Sequence, residues 1–296
     1  MILLLNRLFK AVALFACALS SVPCAGQEVT AILSASIEPY EKAFEAFQTA
    51  YGAPIRRINL SDEASHAPTV TRVVVAFGGK AALSSYPAGT LVVYCLAPGV
   101  NLDEREKRGE AIKVTMLPPA TDVISRLKLL QPNLTRLGIF WASDAQLLYV
   151  NALKQAAQQW GIVIVAEHVH SLDDLPEGLR QMLHSHINGV WLPPDPVLIN
   201  AQSFELFRTF SRSNDVPLYV PSGGLVDKGA VASVACGFEE IGRTAGLVVK
   251  RVLSGEKVAA VVYPEKVIFR VSLSAATDAG MIIDRPALER SGGELQ

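Results

Sequence analysis

The chain has 296 residues, half of them hydrophobic, and a formal net charge of −1. That length accommodates two ordinary domains, each with a sizeable core. Near-neutrality leaves no electrostatic footprint for nucleic acid or an anionic membrane surface, so neither is an expected partner.

The opening stretch "MILLLNRLFKAVALFACALSSVPCAGQE" places Arg7 and Lys10 before an apolar run from Ala11 to Leu19, followed by small residues. This order predicts a secretory leader over residues 1–26, cut near Cys24 to Gly26. An uncleaved anchor, and a lipid-anchored form through Cys17 or Cys24, stay open. No later apolar run reaches the length of a membrane helix. The expected location is the periplasm. Export also governs the remaining cysteines, Cys95 and Cys236, in "LVVYCLAP" and "ASVACGF". In such apolar runs a free cysteine behaves as a small buried hydrophobe, and a chain this long needs no disulfide framework.

From Glu28 onward strands and helices alternate. "EVTAILSAS" reads as a strand; Tyr40, Phe44, Phe47 and Tyr51 then recur at helical spacing before Gly52. "PIRRINL", "RVVVAF", "TLVVYCLAP" and "AIKVTML" are further strands, with a helix expected in the polar patch "SDEASHAPT". Thr121 is expected to cap a helix that turns Ile124, Leu127 and Leu130 inward. "LGIFWASDAQLLYVNALKQAAQQWGIVIV" has the pattern of a βαβ unit. Its helix places Tyr149, Leu153, Ala156, Ala157 and Trp160 on one apolar side, and Gly161 follows as a left-handed cap. The flanking strands are continuously apolar, as in a parallel sheet covered on both faces. "GVWLPPD", the Phe204–Phe210 helix, "VPLYVPSGG", "VASVACG" and a long helix from Glu239 to Leu253 continue the alternation. Two successive parallel α/β units joined near Pro118–Pro119 fit this order better than one large sheet.

Catalytic signatures are missing. "AFGGKAA" fails as a phosphate loop, because Val74 stands where a glycine is needed and Ala81 where a hydroxyl is needed. The histidine pairs His168/His170 and His184/His186 have neither helical ligand spacing nor a fixed carboxylate beside them, so no metal is expected. No nucleophile–base–orienter set is legible, so neither an enzyme nor a cofactor is expected. What recurs is a series of strand-end loops with small or polar residues: "SAS", "GGK", "WASD", "PPDP" and "PSGG". Each alone is an ordinary turn. Together, at the carboxyl ends of parallel strands, they predict a ligand cleft.

The run "VPLYVPSGGLVDKGAVASVACGFEEIGRTAGLVVKRVLSGEK" resembles the ABC-transporter substrate-binding family that includes tryptophan- and tyrosine-binding proteins. The matching positions are Val226, Gly229–Ala230, Phe238, Gly242–Arg243 and Leu253–Glu256. "LPPD", "LGIFWAS" and "VIFRVSLSAATDAGM" are similar to further family segments. In the first lobe the family's I-G-T-x-A-A turn becomes "FGGKAA", with Gly79 in place of threonine and Lys80 beside it. The resemblance implies a type I periplasmic binding protein fold, two Rossmann-like α/β lobes joined by a hinge. On this reading residues 27–117 and a return segment 238–262 form the first lobe. Residues 118–237 and a C-terminal segment 263–296 form the second. It implies a monomer that encloses a small amino-acid-like, anionic or zwitterionic solute and delivers it to an inner-membrane ABC permease. The alternative is a periplasmic sensing subunit that signals to a membrane receptor kinase or cyclase. Ser36, Gly79 and Lys80 are the expected ligand contacts from the first lobe. Ser143, Asp144, Asp195, Ser222 and Phe238 are those from the second lobe or the hinge.

Overall fold

The computed structural model describes residues 28–62, 71–102, 110–195, 197–290 and 292–295. The expected leader and most of the polar patch after Leu60 lie outside the described residues.

The first half runs β1 (Val29–Leu33), α1 (Glu38–Tyr51), β2 (Arg56–Asn59), β3 (Val73–Phe77), α2 (Gly79–Leu83), β4 (Leu91–Cys95) and β5 (Ala111–Val114). The second half runs α3 (Ala120–Leu130), β6 (Arg136–Trp141), α4 (Leu147–Gln158), β7 (Val163–His168), α5 (Leu175–His184), β8 (Gly189–Trp191), α6 (Ala201–Ser213), β9 (Leu218–Val220), α7 (Gly223–Val226) and β10 (Ala232–Ala235). The chain then returns through α8 (Phe238–Leu253) and β11 (Val261–Val262). It ends with β12 (Ile268–Val271), α9 (Leu273–Asp278), α10 (Arg285–Arg290) and β13 (Gly293–Leu295).

Among the described residues these strands form two sheets, β11-β5-β4-β3-β1-β2 and β13-β12-β10-β9-β8-β6-β7. Every residue of β1 and β3 is buried, which explains their unbroken apolar runs: helices cover both faces. Pairing is parallel except between β10 and β12, where Val234 faces Phe269 in antiparallel register. The cause is topological. β12 enters the second sheet directly after β11 has closed the edge of the first, so the chain arrives from the opposite end.

The α8 helix packs on α1 rather than on the second sheet. Gly242 makes this possible, since a Cβ there would lie 1.9 Å from the Ala43 carbonyl oxygen. At Gly246, one turn on, a Cβ would lie 2.8 Å from the Phe47 carbonyl oxygen and from the Ala50 Cβ. Beneath this contact Phe44, Phe47 and Phe77 meet edge to face, with Phe47–Phe77 centroids 5.7 Å apart. Burying each such ring contributes about 2–3 kcal/mol.

Two local expectations are corrected. α3 starts at Ala120 with Pro119 in the cap position and no side-chain cap, so Thr121 sits inside the first turn. Pro119 supplies a preset φ there, and its missing N–H costs nothing at a helix start. Trp160 lies beyond the end of α4 and is 45 % exposed, whereas Tyr149, Leu153, Ala156 and Ala157 are buried as expected. Gly161 does adopt a left-handed conformation, with φ 64°.

Candidate functional site

The carboxyl ends of the parallel strands carry every loop singled out from the sequence. In the first lobe β1 is followed by Ser34, whose hydroxyl accepts from the Ala81 N–H at 2.9 Å. Ser34 therefore caps α2 from a neighbouring strand, because the residue in the cap position, Gly78, has no side chain. Gly78 has φ 95°, and a Cβ on it would collide with the Tyr40 and Ser34 hydroxyls. Only glycine fits. Gly79 is half-buried beside it. Ser36 is exposed and accepts from the Asn59 carboxamide, bridging the ends of β1 and β2. Lys80 is exposed, and its ammonium donates to the Leu60 carbonyl at 3.0 Å.

The second lobe is built around Asp195, which is completely buried at the end of the β8 loop. One carboxylate oxygen accepts from the N–H groups of Ala142 (3.0 Å) and Ser143 (2.8 Å), and the other from Val197 N–H at 2.9 Å. A buried carboxylate needs such donors, and here the backbone supplies them. Asp195 thus ties the β8 loop to the β6 loop. His168 Nε2 lies 3.2 Å from the Ala142 carbonyl, and its ring stacks on Trp141 with centroids 4.0 Å apart. The His170 ring meets His168 edge-on at 4.6 Å. The "WASD" loop is held between these groups.

In that loop and the turn after it, two polar atoms are buried with no hydrogen-bond partner, Ser143 Oγ and Gln146 Oε1. Asp144, adjacent, is exposed. Gln146 is fixed by its own N–H, which donates to the Ser143 carbonyl at 2.8 Å, and by Nε2, which donates to the Pro194 carbonyl at 3.2 Å. It faces the first lobe across a cavity of about 20 Å³, lined opposite by residues that include Tyr94, Cys95, Lys113 and Thr115. The cavity also borders Met116 and Leu117, which begin the crossover between the sheets. From below, the buried Tyr149 hydroxyl donates to the Pro118 carbonyl at 2.8 Å, anchoring that crossover to the second-lobe core. Burial raises the Tyr149 phenol well above its ordinary range, with Tyr263 and Cys236 adding to the effect, so it stays a donor.

The sequence profile of the ABC transporter substrate binding proteins matches residues 102–287. The chain belongs to that family. Solved structures agree on the fold. A domain from Streptococcus pneumonia in complex with L-Trp superposes with a TM-score of 0.63 at 20 % identity, covering 90 % of this chain and 99 % of that one. A ligand-free, open substrate binding protein with adhesive properties from Clostridium difficile gives 0.63 at 14 % identity, covering 91 % and 99 %. A conserved domain protein from Vibrio cholerae gives 0.61 at 16 %, covering 92 % and 100 %. No curated protein matches the chain. The architecture is therefore that of the type I periplasmic binding proteins, two α/β lobes with mainly parallel sheets. No helix among the described residues is long and apolar enough to cross a membrane.

Within this family framework the expected contacts divide. Ser143 and Asp195 are brought together directly, and Ser36, Gly79 and Lys80 share the strand ends of the first lobe. Ser222 is exposed at the start of α7, after β9. Phe238 opens α8 and packs against the first-lobe core. Sequence reasoning passed over Ser34, Gln146 and the Trp141–His168 stack. Ser34 and Gln146 lie within or beside the quoted loops, but nothing in their neighbours' types signals that Ser34 caps a helix or that Gln146 is buried.

Proposed function

We propose that the protein is an exported solute-binding protein that encloses a small amino-acid-like, anionic or zwitterionic solute between its lobes and delivers it to an inner-membrane ABC permease. The observation that carries this reading is a buried, unpartnered acceptor just after the "WASD" loop, Gln146 Oε1, on a residue that lines an inter-lobe cavity of a family member. Buried polar atoms are nearly always paired, so an acceptor of this kind beside a cleft suits a solute's hydrogen-bond donor. The lobes divide as residues 27–117 with 238–262, and 118–237 with 263–296, and the leader directs the chain to the periplasm.

Closure follows from linkage. A solute that touches both lobes binds the closed form better than the open one, and it shifts the equilibrium by that difference alone. Ser143, Gln146 and the N-terminal end of α7 at Ser222 act from the second lobe; Ser36, Gly79 and Lys80 act from the first. Asp195 acts indirectly, by holding the Ser143 backbone in place. Phe238 acts at the hinge. A monomer suffices, because both halves of the cleft come from one chain. L-Trp, bound by the Streptococcus relative, is the first solute to try.

Native mass spectrometry of freshly purified protein tests the reading. One small solute per chain, released on unfolding and taken up by cells only when the cognate permease is present, is the expected result. Protein that leaves the periplasm bare and binds nothing from a metabolite extract contradicts it.

A further inference from the structure

Gln146 is 4 % exposed, yet its carboxamide is only half used. The Nε2 group points at the Pro194 carbonyl, which accepts and cannot donate, so the amide orientation is set. Oε1 is consequently the free end, an acceptor without a donor. The adjoining cavity of about 20 Å³ has room for one water-sized group.

The charge of that group can also be argued. Among the described residues lining the cavity there is no carboxylate, and Lys113 brings a positive charge whose ammonium donates to the Val100 carbonyl at 2.8 Å. The buried acid nearest the loop, Asp195, already accepts from three backbone N–H groups. An ammonium entering here would give up its hydration for a neutral carboxamide, with no carboxylate among the described lining residues to compensate. A hydroxyl or amide-type N–H loses far less.

We infer that the hinge end of the cleft takes a hydroxyl of the solute, an uncharged hydrogen-bond donor, and that Gln146 is the specificity-determining acceptor for it. This rests on the solute-binding reading above. A site built to pair one polar group discriminates strongly against an analogue that lacks it, because its own buried atom is then left vacant.

The experiment is calorimetry with matched probes that differ at one carbon. The sets are lactate, alanine and propionate; phenyllactate, phenylalanine and phenylpropionate; and indolelactate, tryptophan and indolepropionate. D-ribose and D-glucose, each beside its deoxy analogues, complete the panel. A hydroxyl-bearing member should bind at least tenfold tighter than both its ammonium and its hydrogen counterparts, or a sugar at least tenfold tighter than one of its deoxy analogues. Gln146→Met should bring that member down to the level of the counterpart without the hydroxyl. Gln146→Glu, which keeps the shape and adds an anion, should move preference toward the ammonium. The wild-type order decides even where a variant folds poorly. The inference is overturned if no hydroxyl-bearing member exceeds its counterparts, or if a folded Gln146→Met keeps the preference. In either case a protein that still carries a solute by native mass spectrometry leaves the binding reading standing. A protein that carries none and binds none loses both.

Discussion

The Asp195 carboxylate accepts the backbone N–H of Ser143 at 2.8 Å, so an acid at the end of one strand sets the conformation of a loop at the end of another. The same oxygen holds Ala142 and the other holds Val197. Replacing Asp195 with alanine strands three backbone donors around a group that is fully buried. A single unsatisfied buried donor costs about 1–3 kcal/mol, so Asp195→Ala should lower stability by about 3 kcal/mol or more. Urea denaturation measures this. Solute affinity should fall as well, since the Ser143 loop loses its anchor. A stable Asp195→Ala variant with weakened binding would mean that the carboxylate meets the solute itself.

The helix pair that carries the return segment offers a second check. Gly242→Ala drives a methyl group into the Ala43 carbonyl at 1.9 Å, against backbone that cannot swing aside. Gly246→Ala meets the Phe47 carbonyl and the Ala50 methyl at 2.8 Å. Overpacking costs about 1–3 kcal/mol and occasionally more. Both variants should melt earlier than wild type, with Gly242→Ala the more severe by thermal denaturation. Equal, near-neutral effects would contradict the close α1–α8 contact.

Burial pushes the Cys236 thiol up to about 12, with Glu240 and Asp122 adding to the effect, and burial alone pushes Cys95 higher still. Thiolate is the reactive form, so both thiols should resist Ellman's reagent at pH 8 in the native protein. Both should react at once in guanidinium chloride. Rapid labelling of either thiol in native protein would place it at an accessible surface instead.

Arg243 donates to both oxygens of Glu240, at 2.8 and 2.7 Å, and reaches Glu265 in the crossover to β12 at 3.2 Å. The bonds from Arg243 hold the Glu240 carboxyl below its usual range. A depressed folded value contributes stability above the unfolded value, near about 4.3, that is lost as pH falls through the folded one. Wild type should therefore lose more stability between pH 5 and pH 3 than Glu240→Gln. Parallel acid limbs in urea titrations would remove Glu240 from the balance.

How much of this was legible from residue types varies by element. The β6–α4–β7 unit could be read because period and burial coincide there. Trp160 escaped the same logic because the helix stops two residues before it, which periodicity cannot see. The antiparallel β12 was hidden for a different reason, since strand direction depends on which lobe the chain is leaving. Asp195 stood out as an acid after two prolines. Two of its three partners are backbone N–H groups more than fifty residues away, and backbone donors carry no sequence signal. Gln146 is the sharper case. A glutamine among leucines reads as a surface residue, and only the packing of the Pro194 carbonyl and the first lobe around it reveals a buried acceptor.

The central claim, that one solute bridges both lobes, is tested most directly by hydrogen exchange on the protein with and without the solute that native mass spectrometry identifies. Exchange should slow together in residues 34–36 and 78–81 of the first lobe and in residues 142–146 and 222–224 of the second, and the helices on the outer faces should be unchanged. Protection confined to one lobe, or appearing around the exposed Trp160 instead, would contradict it.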